Sequence, residues 1–369
     1  MNFLKGKNIL VISPEAWGKS KLSKHHYALT LAAIGNKVWF LQPPNALAYK
    51  VENDPPNGVE LLTDRNRFRG ARYFPTFLRK IIFKKIIRGM EKEAATHFDV
   101  IWNFDNSRFF DMDCFENSFR IHHRMDFHYN FQNERTCKSA NLCLGVTAGI
   151  VDSMKIFNKE SHFINHGYAT PEISHVKLPS RDEPFKALYI GNLFSPFINW
   201  EWIHALVKEE TEVHFYFAGS FSRSNICNDI NEDALHEIDL LREKKNVTFL
   251  GEKHPSEIYA YMNESHILFA AYNSQQEPEI LANSHKIMGY LGSGKPVVCH
   301  VIGEYERFPE LLYMAKTQKE YLELFHYVRT NLNITSDELH QSRRISFAFQ
   351  NTYVQQLKHI DELITNVLR

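Results

Sequence analysis

The sequence predicts an α/β protein made of two doubly wound, Rossmann-like domains. Three observations lead there. The chain has 369 residues, too many for one ordinary core and suited to two domains of roughly 150–200 residues. Short apolar runs alternate with helical patterns, and the series occurs twice, as parallel sheets covered by helices require. Between the two series lie Pro171, Pro179 and Pro184 among polar residues, the composition of a linker. The expected division is a first domain over 1–170, a linker over 171–185 and a second domain over 186–335. Residues 336–369 read as a C-terminal helical stretch.

The elements follow in order. Ile9–Ile12 is a short apolar run ending in Ser-Pro and reads as a buried parallel strand. Ser23–Ile34 reads as a helix, with Ser23 as its cap and Gly35 as its stop. Lys37–Leu41 is the next strand, closed by Pro43-Pro44. Phe98–Trp102, Ser118–His122, Leu142–Val146 and Ser161–Ile164 continue the first sheet. The second series opens with strand Lys186–Ile190 and helix Trp200–Lys208. Strand Val213–Ala218, helix Glu232–Arg242, strand Asn246–Leu250 and helix Pro255–Met262 come next. Strand Ile267–Ala271, helix Asn283–Leu291 and strand Pro296–His300 complete it.

Composition narrows the class. A chain that is 44% hydrophobic and 23% charged is a folded one, not a disordered tail. The formal net charge is zero, which speaks against a general nucleic-acid coat. That zero averages +7 over residues 1–184 and −7 over residues 185–369, so the two domains should meet different partners. The five cysteines are odd in number and form no C-x-x-C pair, so neither a disulfide framework nor a structural zinc site is expected. The start has no apolar leader pattern and no run reaches the roughly 18–20 apolar residues of a membrane span, which makes the expected compartment cytoplasmic.

Much of the positive charge sits between residues 65 and 92. Ten Lys and Arg fall there against one acid, Glu91. Leu78, Ile82, Ile86 and Met90 make an apolar line at i, i+4 spacing, and Lys80, Lys84, Arg88 and Lys92 make a basic one. Such a helix suits an anionic membrane surface. No nucleic-acid reader motif accompanies it.

The second half carries the most specific motifs. Strands end in Gly191-Asn192 and Gly219-Ser220, where glycine lets backbone approach a ligand closely. Further on come Asn246–Gly251, His266–Asn273, and the long run Asn283-Ser-His-Lys-Ile-Met-Gly-Tyr-Leu-Gly-Ser-Gly-Lys-Pro-Val-Val298. A helix start offers free N–H groups and a positive dipole end to an anion without a metal. Ser284, His285 and Lys286 stand at that start.

In this order, over roughly residues 186–310, the motifs resemble the C-terminal half of GT-B-fold glycosyltransferases. The likeness is to bacterial enzymes of envelope and exported polysaccharides with a family 4-like donor domain. The resemblance implies two Rossmann-like domains facing across a cleft. It implies a nucleotide diphospho-sugar donor, and a glycan or lipid-linked glycan acceptor. It implies an enzyme of the hexosyltransferase type that needs no cofactor or metal, peripheral on the inner face of the plasma membrane. Carried onto this chain, the donor site would comprise Gly191, Asn192, Gly219, Ser220, Tyr272, Asn283, Ser284, His285, Lys286 and Met288, with Met288 or Tyr272 touching the base or ribose. The acceptor side would use Trp17 as a sugar platform and Arg124. Asp126, in Arg120-Ile-His-His-Arg-Met-Asp-Phe-His128, would be the general base, with His122, His123 and Arg124 in reserve. Asn165-His-Gly167 would form the domain junction, and the C-terminal helix over 336–369 would return toward the first domain. One departure stands out: relatives carry Glu where this chain has Gly289. The ribose would then fall to another group, with Glu277 and Glu279 nearest in sequence. Two other readings share the fold, a sugar-nucleotide 2-epimerase and an inactive scaffold that binds nucleotide or membrane.

Overall fold

The computed structural model describes residues 2–369 except 19–20, 47–49, 55–57, 66–69, 127–131, 172–184, 221–231 and 274–282. The proposed linker therefore lies almost wholly outside the described residues, as do Glu277, Glu279 and His128. The chain forms two units. One comprises Met1–Gly167 with Tyr353–Arg369, the other Tyr168–Thr352.

The first unit is an eight-stranded sheet. Its strands are β1 (Asn8–Ile12), β2 (Lys37–Ala46), β3 (Lys50–Asp54), β4 (Val59–Arg65), β5 (Val100–Asn103), β6 (Phe119–Arg124), β7 (Leu142–Gly145) and β8 (Ser161–Phe163), in the order β3-β4-β2-β1-β5-β6-β7-β8. Only the β3–β4 pair is antiparallel. The strand order reverses between β1 and β5, which makes their carboxyl ends the switch point where such sheets bind ligands.

β3 and β4 were not expected from the sequence. They are joined through the Pro-Pro-Asn-Gly stretch ending at Gly58, and their acidic, polar composition hides the strand pattern. β2 also runs past the expected stop at Pro43-Pro44. The register against β4 shifts between Gln42 and Ala46, and an irregular ladder is where strands accommodate proline.

The second unit is a six-stranded, all-parallel sheet of β9 (Phe185–Ile190), β10 (Val213–Ala218), β11 (Val247–Gly251), β12 (Ile267–Ala270), β13 (Val297–His300) and β14 (Tyr313–Ala315), in the order β11-β10-β9-β12-β13-β14. Strands β10, β12 and β13 are buried along their whole length, as strands covered on both faces are. On β10, Val213, Phe215 and Phe217 enter one core layer while Tyr216 and Ala218 enter the other, the two-residue alternation of a strand. Here the switch point lies between β9 and β12.

The expected helical segment 336–369 is two helices, Glu338–Gln350 and Tyr353–Val367. Helix Glu338–Gln350 belongs to the second unit, where buried Arg344 donates to the carbonyls of Gly294 (3.0 Å), Thr335 (2.8 Å) and Leu311 (3.3 Å). Helix Tyr353–Val367 belongs to the first. There the Asp361 carboxylate accepts the backbone N–H groups of Asn2 (2.7 Å), Phe3 (3.0 Å) and Leu4 (2.7 Å).

Helix Thr76–Glu93 carries the basic segment, but its buried line is Arg79, Phe83, Ile87 and Met90, one position on from the expected Leu78, Ile82 and Ile86. The reason is an ion pair: the buried Arg79 guanidinium meets Asp111 and donates to the Phe74 carbonyl at 2.9 Å. Lys80 pairs with Asp113, and Lys84 with Glu116 at 2.6 Å. The exposed face runs Phe77, Ile81, Lys85, Arg88 and Lys92, apolar at its start and basic toward its end. Arg67 and Arg69 lie outside the described residues. Among the described residues, no helix is long and apolar enough to cross a membrane.

Candidate functional site

In the second unit the site is built at the carboxyl ends of β9, β10 and β12. The turns after the first two are stitched together. Gly191 N–H donates to Ala218 O (2.9 Å), Leu193 N–H to Ser220 O (3.0 Å) and Gly219 N–H to Gly251 O (3.0 Å). The Asn192 side chain accepts from Phe194 N–H at 3.0 Å and closes its own turn. Gly191 has φ +154°, and a Cβ there would stand 2.7 Å from the Lys286 ammonium. A Cβ on Gly219 would run into the Gly191 carbonyl oxygen. Gly219 is required by the close approach of backbone, and Gly191 by its φ, since its Cβ would meet only the movable end of Lys286 and the Tyr189 hydroxyl.

Helix His285–Gly292 begins beside these turns. Ser284 is its extended N-cap, and the serine side chain makes no cap hydrogen bond. The first N–H groups of a helix have no partner within it and give the start a positive end. Lys286, the second helical residue, turns its ammonium back over Gly191. It donates to the Tyr272 hydroxyl and, at 3.4 Å, to the Tyr189 hydroxyl. It also lies 4.5 Å from the Tyr189 ring centre and 4.6 Å from that of Tyr272. Burial, with Tyr272 adding to it, holds the Tyr189 phenol well above its ordinary range, so it stays neutral. His300 at the end of β13 lies with its ring centre 5.1 Å from that of Tyr272. Burial first, and the Lys286 charge second, push it down to about 3, so it too is neutral. Among the described residues no carboxylate pairs with Lys286.

The expected donor residues thus separate. Gly191, Asn192, Gly219, Ser220, Tyr272 and Lys286 come together; Asn283, Ser284 and His285 form the adjoining helix start. Met288 does not join them: it is 1% exposed and packed in the core. Two residues beyond Lys286 is some 200° around a helix, so Met288 faces the sheet. Tyr272 turns its hydroxyl to Lys286. Gly289 lies about one turn on from Lys286 along the same side, and a Cβ there would meet nothing within 4 Å. The missing carboxylate is therefore no matter of space. Tyr189 was not singled out by the sequence, since a tyrosine inside an apolar strand reads as core.

The first unit has a small depression of about 10 Å³ at the carboxyl ends of β1, β5 and β6, lined by Pro14, Lys24, Phe104, Asn106, His122, Arg124, Met125 and Asp126. Lys24, the second residue of helix Ser23–Ala33, is nearly buried and ion-paired with Glu15. Ser23 is the first helical residue instead of the cap, and its hydroxyl lies 3.2 Å from His166 Nδ1. Arg124 is buried and donates to the Ser153 hydroxyl at 3.0 Å. Burial lowers its pKa, while Cys137 and Asp126 act the other way. Burial, then Arg124, push His122 down to about 3. Asp126 stands half-buried at the rim.

Two expected residues lie elsewhere. His123 is wholly buried behind the depression. Its Nδ1 accepts from the Trp102 indole at 3.3 Å, and its ring stacks on Phe104 at 5.1 Å. It cannot receive a proton from a bound hydroxyl, and burial holds it neutral well below its usual range. Trp17 packs edge-on against Phe40 (4.9 Å) and His25 (5.2 Å), with the Lys21 ammonium 3.8 Å over its ring. Its face is occupied, so it is not an open sugar platform. Gly167 is structural, since a Cβ there would enter the Tyr353 ring. Among the described residues no group of three His, Cys, Asp or Glu side chains is placed to hold a metal ion.

No protein-family model matches the chain, and no curated protein does. Solved structures do. The sucrose-phosphate synthase from Thermosynechococcus elongatus has a TM-score of 0.72 at 13% identity, covering 98% of each chain. HepE from Anabaena, in complex with UDP and glucose, has a TM-score of 0.68 at 15% identity, covering 97% of this chain and 99% of its own. A glycosyltransferase from Rickettsia africae has a TM-score of 0.68 at 14% identity, covering 98% of each. At these identities the likeness is one of fold. The chain is an α/β protein with two Rossmann-like units, the GT-B architecture expected from its motifs.

Proposed function

We propose that this protein is a glycosyltransferase. The second unit binds a nucleotide diphospho-sugar. The sugar passes to a hydroxyl of a glycan or lipid-linked glycan bound by the first unit, in the making of a bacterial surface polysaccharide. One observation carries this reading. Lys286 holds its positive charge over Gly191 with no carboxylate paired to it among the described residues, beside a helix start, at the switch point of a parallel sheet. That is the equipment a diphosphate needs, and HepE, with the same fold, was solved with UDP and glucose.

The chemistry follows from the residues. Asp126 takes the proton of the acceptor hydroxyl as that oxygen attacks the anomeric carbon. The bond from the anomeric carbon to the diphosphate oxygen breaks, and the nucleoside diphosphate leaves with the electron pair. Lys286 and the helix start stabilise the charge gathering on it. No metal has a step in this account. The exposed face of helix Thr76–Glu93, with Phe77 and Ile81 ahead of Lys85, Arg88 and Lys92, supports docking on an anionic membrane that carries the acceptor. Vesicle flotation tests this part: anionic vesicles should carry the protein at low salt, and Phe77→Ser with Ile81→Ser should abolish it. Flotation unchanged in that variant would leave the face as a solvated one.

A thermal-shift screen against uridine, guanosine and cytidine diphospho-sugars tests the main reading. One nucleotide series should raise the melting temperature, and the hit should be consumed only with an acceptor glycan present. A hit epimerised without acceptor would instead establish the 2-epimerase. No shift with any nucleotide would favour the inactive scaffold.

A further inference from the structure

Lys286 differs from an ordinary surface lysine in what holds it. Its ammonium is gripped by two phenols, and each phenol is fixed by its own surroundings. Tyr189 is 0% exposed and its ring centre lies 5.9 Å from those of both Phe217 and Phe269. Tyr272 is held through a backbone bridge to Ile198, with its ring against His300. The two hydroxyls stand 3.4 Å apart. Behind them Tyr290 accepts the Ile190 N–H at 2.8 Å, which fixes the strand end that leads into Gly191. A lysine stem loses much of its rotamer freedom when it is ordered. Here that loss is met before any ligand arrives. Phenols and ring faces attract a cation without cancelling its charge, whereas a carboxylate would cancel it.

We propose that Tyr189 and Tyr272 are positioning residues that clamp the Lys286 ammonium over Gly191 and keep its charge available for a diphosphate. The clamp rests on the reading of the second unit as a donor site, and adds to it two residues that act through the lysine. It also assigns Tyr272 away from the base or ribose. Losing one hydroxyl removes one of the two hydrogen bonds that orient the ammonium and leaves the other, so the effect on diphosphate affinity should be about threefold to tenfold.

The test is calorimetric titration of the full chain with three probes: the nucleoside diphosphate found by the thermal-shift screen, its nucleoside, and inorganic pyrophosphate. The variants are Tyr189→Phe, Tyr272→Phe, Lys286→Gln and the pair Tyr272→Phe with Lys286→Gln, with folding checked by thermal unfolding. Each phenylalanine variant should weaken the diphosphate and pyrophosphate about threefold to tenfold and leave the nucleoside unchanged. In the Lys286→Gln background Tyr272→Phe should cost nothing further. Loss on the nucleoside equal to that on the diphosphate, or a loss that persists without Lys286, would overturn the clamp. The two readings fail separately. Pyrophosphate bound through the clamp with no nucleotide bound would sink the donor reading alone, and binding of neither would sink both.

Discussion

Two lysines occupy matching places in the two units and are treated in opposite ways. Lys24 and Lys286 are each the second residue of a helix beside the switch point of a parallel sheet. A cation there opposes the helix dipole. In the first unit Glu15 pairs with the lysine and cancels its charge. In the second unit two tyrosines hold the lysine and leave the charge standing. The difference bears on what each site would hold under the proposed function. The first, with its lysine paired, would suit a substrate that arrives as neutral hydroxyls. The second, whose lysine has no carboxylate partner among the described residues, would suit an anion, and it stands within the acidic half of the chain.

The largest effect that bears on this contrast belongs to Asp126. Asp126→Asn should lower turnover by about a hundredfold to ten-thousandfold, as loss of a general base does, with donor affinity unchanged. Near-full turnover would remove the base from the first unit. Lys286→Gln comes next. Loss of a charged donor on the leaving group should reduce turnover by about a hundredfold to a thousandfold while unfolding stability stays level or rises. Glu15→Gln is the mirror experiment. It leaves Lys24 nearly buried and unpaired, so it should destabilise the fold by about 3 kcal/mol, read in denaturant unfolding, with little change in diphosphate affinity. If Lys286→Gln destabilised and Glu15→Gln did not, the comparison would be inverted.

Acid should separate the units as well. In the first, burial holds His25 and His26 at about 4 and His122 at about 3; in the second, His300 stands at about 3. Each is depressed from 6.5, so the unfolded chain binds the extra protons. Stability is full above pH 6.5 and falls as pH drops toward 3 to 4. With more such groups, the first unit should lose hydrogen-exchange protection first in that window. Equal loss in both would count against it. The smallest effect is a gain. Gly289→Ala places a methyl in open space in a helix and should stabilise by roughly 1 kcal/mol.

Much of the fold was legible because the strands of the second unit are continuous apolar runs, as in Val213–Ala218, bounded by glycine turns. β3 and β4 were not, because neither is a continuous apolar run: Lys-Val-Glu-Asn-Asp and Val-Glu-Leu-Leu-Thr-Asp-Arg mix charged and polar residues into the strand. The donor glycines and Lys286 were legible as a motif. What sequence could not supply was direction, although local periodicity held some of it. His122 and Arg124 line the depression while His123 points away, the alternation of a strand. Met288 faces away from Lys286 by helical geometry. Tyr189 had no such signal, since its role appears only when β9, β12 and the helix from His285 are brought together. Arg79 likewise shifted the buried line of its helix only because Asp111, distant in sequence, meets it.

The central claim is that Lys286 in the second unit offers its charge to a diphosphate. The most direct measurement compares the affinities of a nucleoside diphosphate and its nucleoside in the wild type and in Lys286→Gln. The account predicts a wide preference for the diphosphate in the wild type that shrinks by about a hundredfold in the variant. An equal preference in both proteins would contradict it.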